Sequence, residues 1–337
     1  MTYRFKLQEP IAEGVRRIGL EQIDIAATKL ASKEDTAAAV HDARRCLKRL
    51  RAMLRLVRPG LAQSVYRREA DRLIGIGRLL SGARDLYVMQ QTLHKLETRF
   101  GKLSDGASVR VRKLVKDGGD GNSGRETDAR RQALTQLDLA RRLFTGRAPD
   151  GLEFGHAIEG LGISYRKARK AFRRAYKQPS DDSFHAWRKR VQQHWRHMAL
   201  LSRGWPEAMS ARASEAKELS RLLGEDHDYA VLLAFARERS APRLEPQDVA
   251  ALLALCRRCQ AQLRTEAKSR GERLFAERAS DLKERVKLYW TSAAELAALT
   301  PSQEPATVNG ARKPASRKRS PAEAPTRSRH VRRRQSG

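Results

Sequence analysis

Two short blocks of this chain place a histidine and a cluster of cations at the same spacing: VHDARRCLKRLR at 40–51 and FHAWRKRVQQHW at 184–195. Aligned on His41 and His185, Arg44 pairs with Arg188, Arg45 with Lys189 and Leu47 with Val191. On a helix turning about 100° per residue, His41, Arg44, Arg45, Lys48 and Arg55 share one sector of roughly 100°. In the second block His185, Arg188, Lys189 and Arg196 point away from the apolar side, and a third stripe, Arg166, Arg169, Lys170 and Arg173, precedes it. Such lines of Arg and Lys suit an anionic chain, because charge-assisted hydrogen bonds to phosphate oxygens supply the attraction and a protonated histidine adds donors. A charge run is more often a solvated helix face. Here, however, like charges at i, i+3, i+4 and i+7 repel without an interleaved Glu for support. The segment 266–287 instead mixes its signs, with Glu266, Lys268, Glu272, Arg273, Glu277, Asp281, Lys283 and Glu284. An unmixed stripe repeated in both halves favours an anion site.

Helices must position these residues. Val40, Ala43, Leu47, Leu50, Leu54 and Val57 form an apolar seam opposite the first stripe, and Trp187, Val191, Met198 and Leu201 do so opposite the second. A further match follows each block: RLLSGARDLYVM at 78–89 resembles RLLGEDHDYAVL at 221–232, pairing Asp85 with Asp228. The separations from the histidines, 44 and 43 residues, are nearly equal, which indicates duplication of a helical unit. Apolar periodicity predicts helices over about 8–31, 36–58, 63–81, 85–100, 126–145, 153–177, 181–203, 207–223, 227–239, 246–276 and 279–298. DGGDGNSG at 117–124 reads as a loop, and no alternating strand-like run is found. The expected class is all-α, with repeat one at about 1–145 and repeat two at about 150–299.

Composition points the same way. The 337 residues carry 69 Lys+Arg against 39 Asp+Glu, a net charge of +30, which calls for a polyanionic partner. At 40% hydrophobic the chain is too apolar to be wholly disordered. Residues 300–337 differ: with five Pro, ten Lys/Arg and two Glu they are expected to be a disordered basic tail, leaving +22 on 1–299. Three cysteines are too few for a disulfide scaffold. MTYRFKLQEP has no apolar signal core, and no apolar run is long enough to span a membrane. These features make a cytoplasmic protein the expectation.

The repeat built on H-x-x-R-[RK] with a downstream R-D or H-D resembles the CHAD family (conserved histidine α-helical domain). The resemblance rests on VHDARRCLKRLR, GARDLYVM at 82–89, SYRKARKAF at 164–172, FHAWRKRVQQHW and LGEDHDYAVL at 223–232, with YRFKLQEPIAEGVRRI looking like the family's first helix; it covers about 1–295. It implies two pseudo-symmetric four-helix units around a basic groove or pore that binds inorganic polyphosphate, without catalysis or cofactor, and association with polyphosphate granules in bacteria. By position it implies His41, Arg44, Arg45, Lys48, His185, Arg188 and Lys189 as the contacting set. Arg17, Arg51, Arg55, Arg84, Arg166, Arg169, Lys170, Arg173, Arg196 and His227 join them as candidates. Gln192 and Gln193 stand where the first copy has Lys48 and Arg49, so the second copy is less basic there. The low aromatic content, 6%, fits a ligand with no bases to stack.

Other constellations are weaker. Glu225-Asp226-His227-Asp228 could belong to a metal-dependent phosphohydrolase, but the first copy has Arg84 in place of His227, and Asp85 and Asp228 are expected to cap the following helix or to orient a basic side chain of the groove. His194, beside Trp187 and Val191, is expected to be buried and hydrogen-bonded; Cys256 and Cys259 form a lone CxxC within a helix. Gly75 and Gly77 are expected at a close helix contact. The tail's SRKRS and RHVRRRQ clusters read as a nonspecific tether for polyanions, nucleic acid included. A nonspecific nucleic-acid-binding protein is the first alternative, and the phosphohydrolase the second.

Overall fold

A computed structural model of the chain describes residues 3–32, 36–101, 109–113, 123–239 and 245–299, without the side chains of 36–37, 82–87 and 123–125. The predicted tail at 300–337, most of the predicted loop at 117–124 and the side chains of Arg84 and Asp85 therefore lie outside the described residues.

Among the described residues ten helices have both ends defined: α1 (Ile11–Ala31), α2 (Thr36–Leu56), α3 (Gln63–Leu79), α4 (Gly82–Phe100), α5 (Ser123–Thr145), α6 (Phe154–Lys177), α7 (Asp181–Leu200), α8 (Pro206–Arg239), α9 (Pro246–Leu274) and α10 (Ala279–Leu299); residues 109–113 are helical as well. A short 3-10 turn, Arg58–Gly60, follows α2. No strand occurs among the described residues, and the class is all-α as expected.

Helices α1, α2, α3 and α5 form one ring of neighbours, while α6 to α9 pack in succession, with α10 on α6. The halves share a core because α2 packs on both α6 and α7. Both apolar seams face that core: Ala43, Leu50 and Val57 in the first copy, and Trp187, Val191 and Met198 in the second, are all fully buried. Gly160 allows the crossing of α6 on α2, since a Cβ there would sit 1.7 Å from the Leu56 carbonyl oxygen. Hydrogen bonds stitch the halves, among them His197 Nε2 to Ala52 O at 3.0 Å and Phe5 N to Leu200 O at 2.9 Å, while Tyr3 Oη donates to Arg49 O at 2.8 Å within the first half. Helix α4 leaves its own half and packs on α8 and α9, where Met89, Leu93 and Leu96 meet Leu232, Leu252 and Cys256 in a second core.

Three expectations are corrected. The chain does not break between 223 and 227; α8 is continuous, so Asp228 caps nothing. The dense polar run is absorbed because Asp226, 1% exposed, is paired with Arg264 at 2.6 Å, and Gly224 packs under the Arg188 guanidinium. Gly75 and Gly77 make no close packing, since a Cβ at either would meet open space. Arg196 does not face solvent; at 6% exposure it packs on the Trp195 ring and donates to Gln192 O at 2.6 Å.

Candidate functional site

The duplicated helices α2 and α7, with α6 and α8, enclose a cavity of about 1340 Å³. Eleven Lys and Arg side chains line it: Arg44, Lys48, Arg51 and Arg55 from α2, Lys167, Lys170 and Arg174 from α6, and Arg188, Lys189, Arg190 and Arg196 from α7. Among the described residues only two carboxylates, Asp182 and Asp228, share the wall. Gln192, Gln193, His185 and His227 complete its polar lining, and no Phe, Tyr or Trp contributes among the described residues. The aromatic side chains of the second half are instead packed on one another in the core, Phe172 against Trp187 and Tyr165 against Phe275.

Helix geometry explains the convergence. Each of the three basic helices buries an apolar seam and turns the opposite flank toward the same space, so stripes that repel one another are brought together. Burial and the neighbouring charges together lower several of their pKa values. Burial, then the charge of Arg55, lowers the pKa of both Arg51 and Arg190. Burial and the charges of Arg190, Arg58 and Arg55 lower that of Lys167, and burial brings Arg196 to about 10. Arg51, Arg55, Lys167, Lys170, Arg174, Lys189, Arg190 and Arg196 form no ion pair among the described residues. Other cations of the chain do, as with Arg264 on Asp181 at 2.7 Å and Arg270 on Glu215 at 2.9 Å. An excess of positive charge held this way is a site prepared for an anion.

Arg44 is held against the end of α3, donating to Gly77 O and, at 3.0 Å, to Leu80 O, where helix carbonyls lack intrahelical donors. Gln193 Oε1 accepts from Arg55 at 3.5 Å and from Arg190 at 3.4 Å, so the amide that replaces a first-copy cation bridges two others. His185 and His227 stack at 3.8 Å between centroids. Burial first, then Lys189 and Arg188, lowers His185 to about 4; burial, then His185 and Arg188, lowers His227 to about 3. Both rings are neutral at pH 7 in the unliganded protein.

The structure thus gathers Arg44, Lys48, Arg51, Arg55, Lys170, His185, Arg188, Lys189, Arg196 and His227 of the predicted set. The others lie elsewhere. Arg17 is ion-paired with Glu9 and Glu21 on α1. His41 and Arg45 are exposed near the start of α2, with Arg45 on Asp42 at 3.0 Å. Arg169 donates to Phe275 O at 3.0 Å, while Arg166 and Arg173 are exposed on α6. The side chain of Arg84 is outside the described residues. Lys167, Arg174 and Arg190 were not anticipated, although Lys167, Lys170 and Arg174 form an i, i+3, i+7 stripe that could have revealed the first two.

No group of three His, Cys, Asp or Glu residues among those described could hold a metal ion. His194 is buried, as expected, and accepts from Arg212 Nε at 3.2 Å. Cys256 and Cys259 are buried free thiols, that of Cys256 raised to about 12 by burial. No helix among the described residues is long and apolar enough to cross a membrane.

Comparison with known proteins agrees with this architecture. A structure described as the crystal structure of the CHAD domain from the plant Ricinus communis superposes with a TM-score of 0.56, covering 82% of this chain and 95% of that chain. At 17% identity that likeness speaks for the fold alone. None of the curated proteins compared matches the chain. The CHAD domain family model matches residues 19–237, more than half of the sequence and including both histidine blocks, and the chain therefore belongs to the CHAD family.

Proposed function

We propose that the cavity binds inorganic polyphosphate and performs no chemistry on it. The observation that carries this reading is the set of eleven Lys and Arg side chains on one cavity against two carboxylates among the described residues. A linear polyphosphate carries roughly one negative charge per phosphate and offers nothing but oxygens, so Arg forks and Lys ammonium groups can satisfy all of it. Membership of a family associated with polyphosphate supports the reading. A cytoplasmic protein that gathers on polyphosphate granules is the cellular role that follows.

The same charge would attract nucleic acid. Single-stranded binders, however, add aromatic platforms for the bases, and the described lining of this cavity has none. Titration calorimetry with long-chain polyphosphate, paired with competition against labelled single-stranded DNA, separates the two. Polyphosphate should displace DNA at far lower phosphate concentration than the reverse. Equal competition per phosphate would replace the proposal with nonspecific polyanion binding, and release of orthophosphate in the presence of Mg²⁺ or Mn²⁺ would show catalysis.

A further inference from the structure

Helix α6 carries more cations than the cavity uses. Taking Arg166 as the origin and about 100° per residue, Arg173, Arg166 and Lys177 fall between roughly −20° and 20°, while Lys170, Arg174 and Lys167 fall between roughly 40° and 100°. Both trios lie opposite the packed side of the helix, where Leu161, Tyr165, Ala168 and Ala175 are fully buried. The second trio lines the cavity. The first does not, and its three side chains are exposed with no ion pair among the described residues. Lys167, Lys170 and Arg174 are exposed as well as part of the cavity wall, and Lys170, at about 40°, adjoins the first trio, so the two trios are continuous across it. No acidic residue interrupts the strip from Arg166 to Lys177, a length of about 16 Å along the axis. The neighbouring Arg169 is excluded, because its guanidinium is tied to the Phe275 carbonyl.

We propose that the outward strip of α6, formed by Arg166, Arg173 and Lys177, is a second anion track that takes the part of a polyphosphate chain emerging over the rim at Lys170. This rests on the polyphosphate reading of the cavity and extends it to a surface outside. The strip is a single exposed helix edge, so it holds only chains already anchored within. A short chain is accommodated by the cavity, whose charge excess matches about nine phosphates. A long chain continues onto α6.

The test compares inorganic polyphosphates of about ten and about one hundred phosphates, lengths set by that charge match, on the full chain. R166Q/R173Q/K177Q should lose about tenfold in affinity for the long chain, with a salt slope smaller by about 2, while short-chain affinity stays within about twofold. A control, R67Q/R131Q/R142Q, removes three exposed cations from α3 and α5, which do not line the cavity, and measures the effect of net charge alone. Loss equal to the control's, or equal loss for both chain lengths, overturns the track while leaving the cavity's function standing. Failure of the unaltered protein to bind either length would overturn the proposed function and the track together.

Discussion

Arg55 tests the idea that this cavity trades stability for charge. Its guanidinium lines the cavity, its Nε is buried without a partner, and its described side-chain hydrogen bond is the long one to Gln193 at 3.5 Å. Its charge is among those that lower Arg51, Lys167 and Arg190. Arg55→Gln should relieve three like-charge contacts; at about 0.2–0.5 kcal/mol each, as for like pairs on a helix surface, that is about 1 kcal/mol. Loss of part of the aliphatic stem offsets some of the gain. The unliganded variant should therefore melt at the same temperature or up to about 2 °C higher. Binding should move the opposite way. A hydrogen bond to a charged group contributes about 1.5–3 kcal/mol, so polyphosphate affinity should fall roughly ten- to hundredfold and the salt slope by about 0.7. Scanning fluorimetry without ligand and calorimetry at several salt concentrations give both readings. A melting point lowered by more than about 3 °C with affinity unchanged would refute the reasoning, because Arg55 would then be holding the fold rather than an anion.

The depressed histidines set a pH dependence. Below about pH 6.5, the ordinary histidine value, the unfolded chain takes up protons that His185 and His227 refuse until about 4 and about 3, so unliganded stability should fall as pH drops through that window. Bound polyphosphate should raise both values and flatten the fall, visible as melting temperature against pH with and without ligand. Gly160→Ala should destabilise by about 3 kcal/mol or more, because its Cβ meets the Leu56 carbonyl at 1.7 Å, and chemical denaturation would show it. Gly224→Ala, whose Cβ lies 3.4 Å from the Arg188 guanidinium, should instead gain about 0.5–1 kcal/mol by helix propensity and keep its affinity within about twofold. The 1–299 fragment retains +22 and the whole cavity, and should bind polyphosphate within roughly tenfold of the full chain, the difference being the avidity of the tail; a fragment that fails to bind would move the function to the tail.

The helices were legible because each buries a seam with helical period, and the likeness of α2 to α7 was legible because both keep that seam and its opposing cations. The continuous α8 was not. Glu225 to Asp228 has the composition of a helix start, and its continuity depends on Arg264, which lies on α9 and reaches Asp226 only once the helices pack. The site shows the same boundary between local and tertiary information. A sector drawn on α2 includes both Arg45 and Arg55, but α6 and α7 pack beside Arg55, while Arg45 is left exposed beside Asp42. On α6 the stripe chosen from sequence, Arg166 to Arg173, is one edge of a broader band, and only the placement of α2 and α7 decides that Lys167 and Arg174 face the cavity.

That division explains how one helix can serve two surfaces. A basic band about 120° wide on α6 is too broad for a single wall, since a neighbour packed at one edge leaves the other in solvent. Selection for stability would place acids at i+4 along the solvent edge, as on α9, where Arg270 meets Glu266 at 3.3 Å. Helix α6 has none between Arg166 and Lys177, and its only acidic residue, Glu159, sits near the opposite end with Lys283 as its partner. The repulsion left uncompensated inside the cavity therefore continues outside it, along the direction in which a bound polyanion would leave.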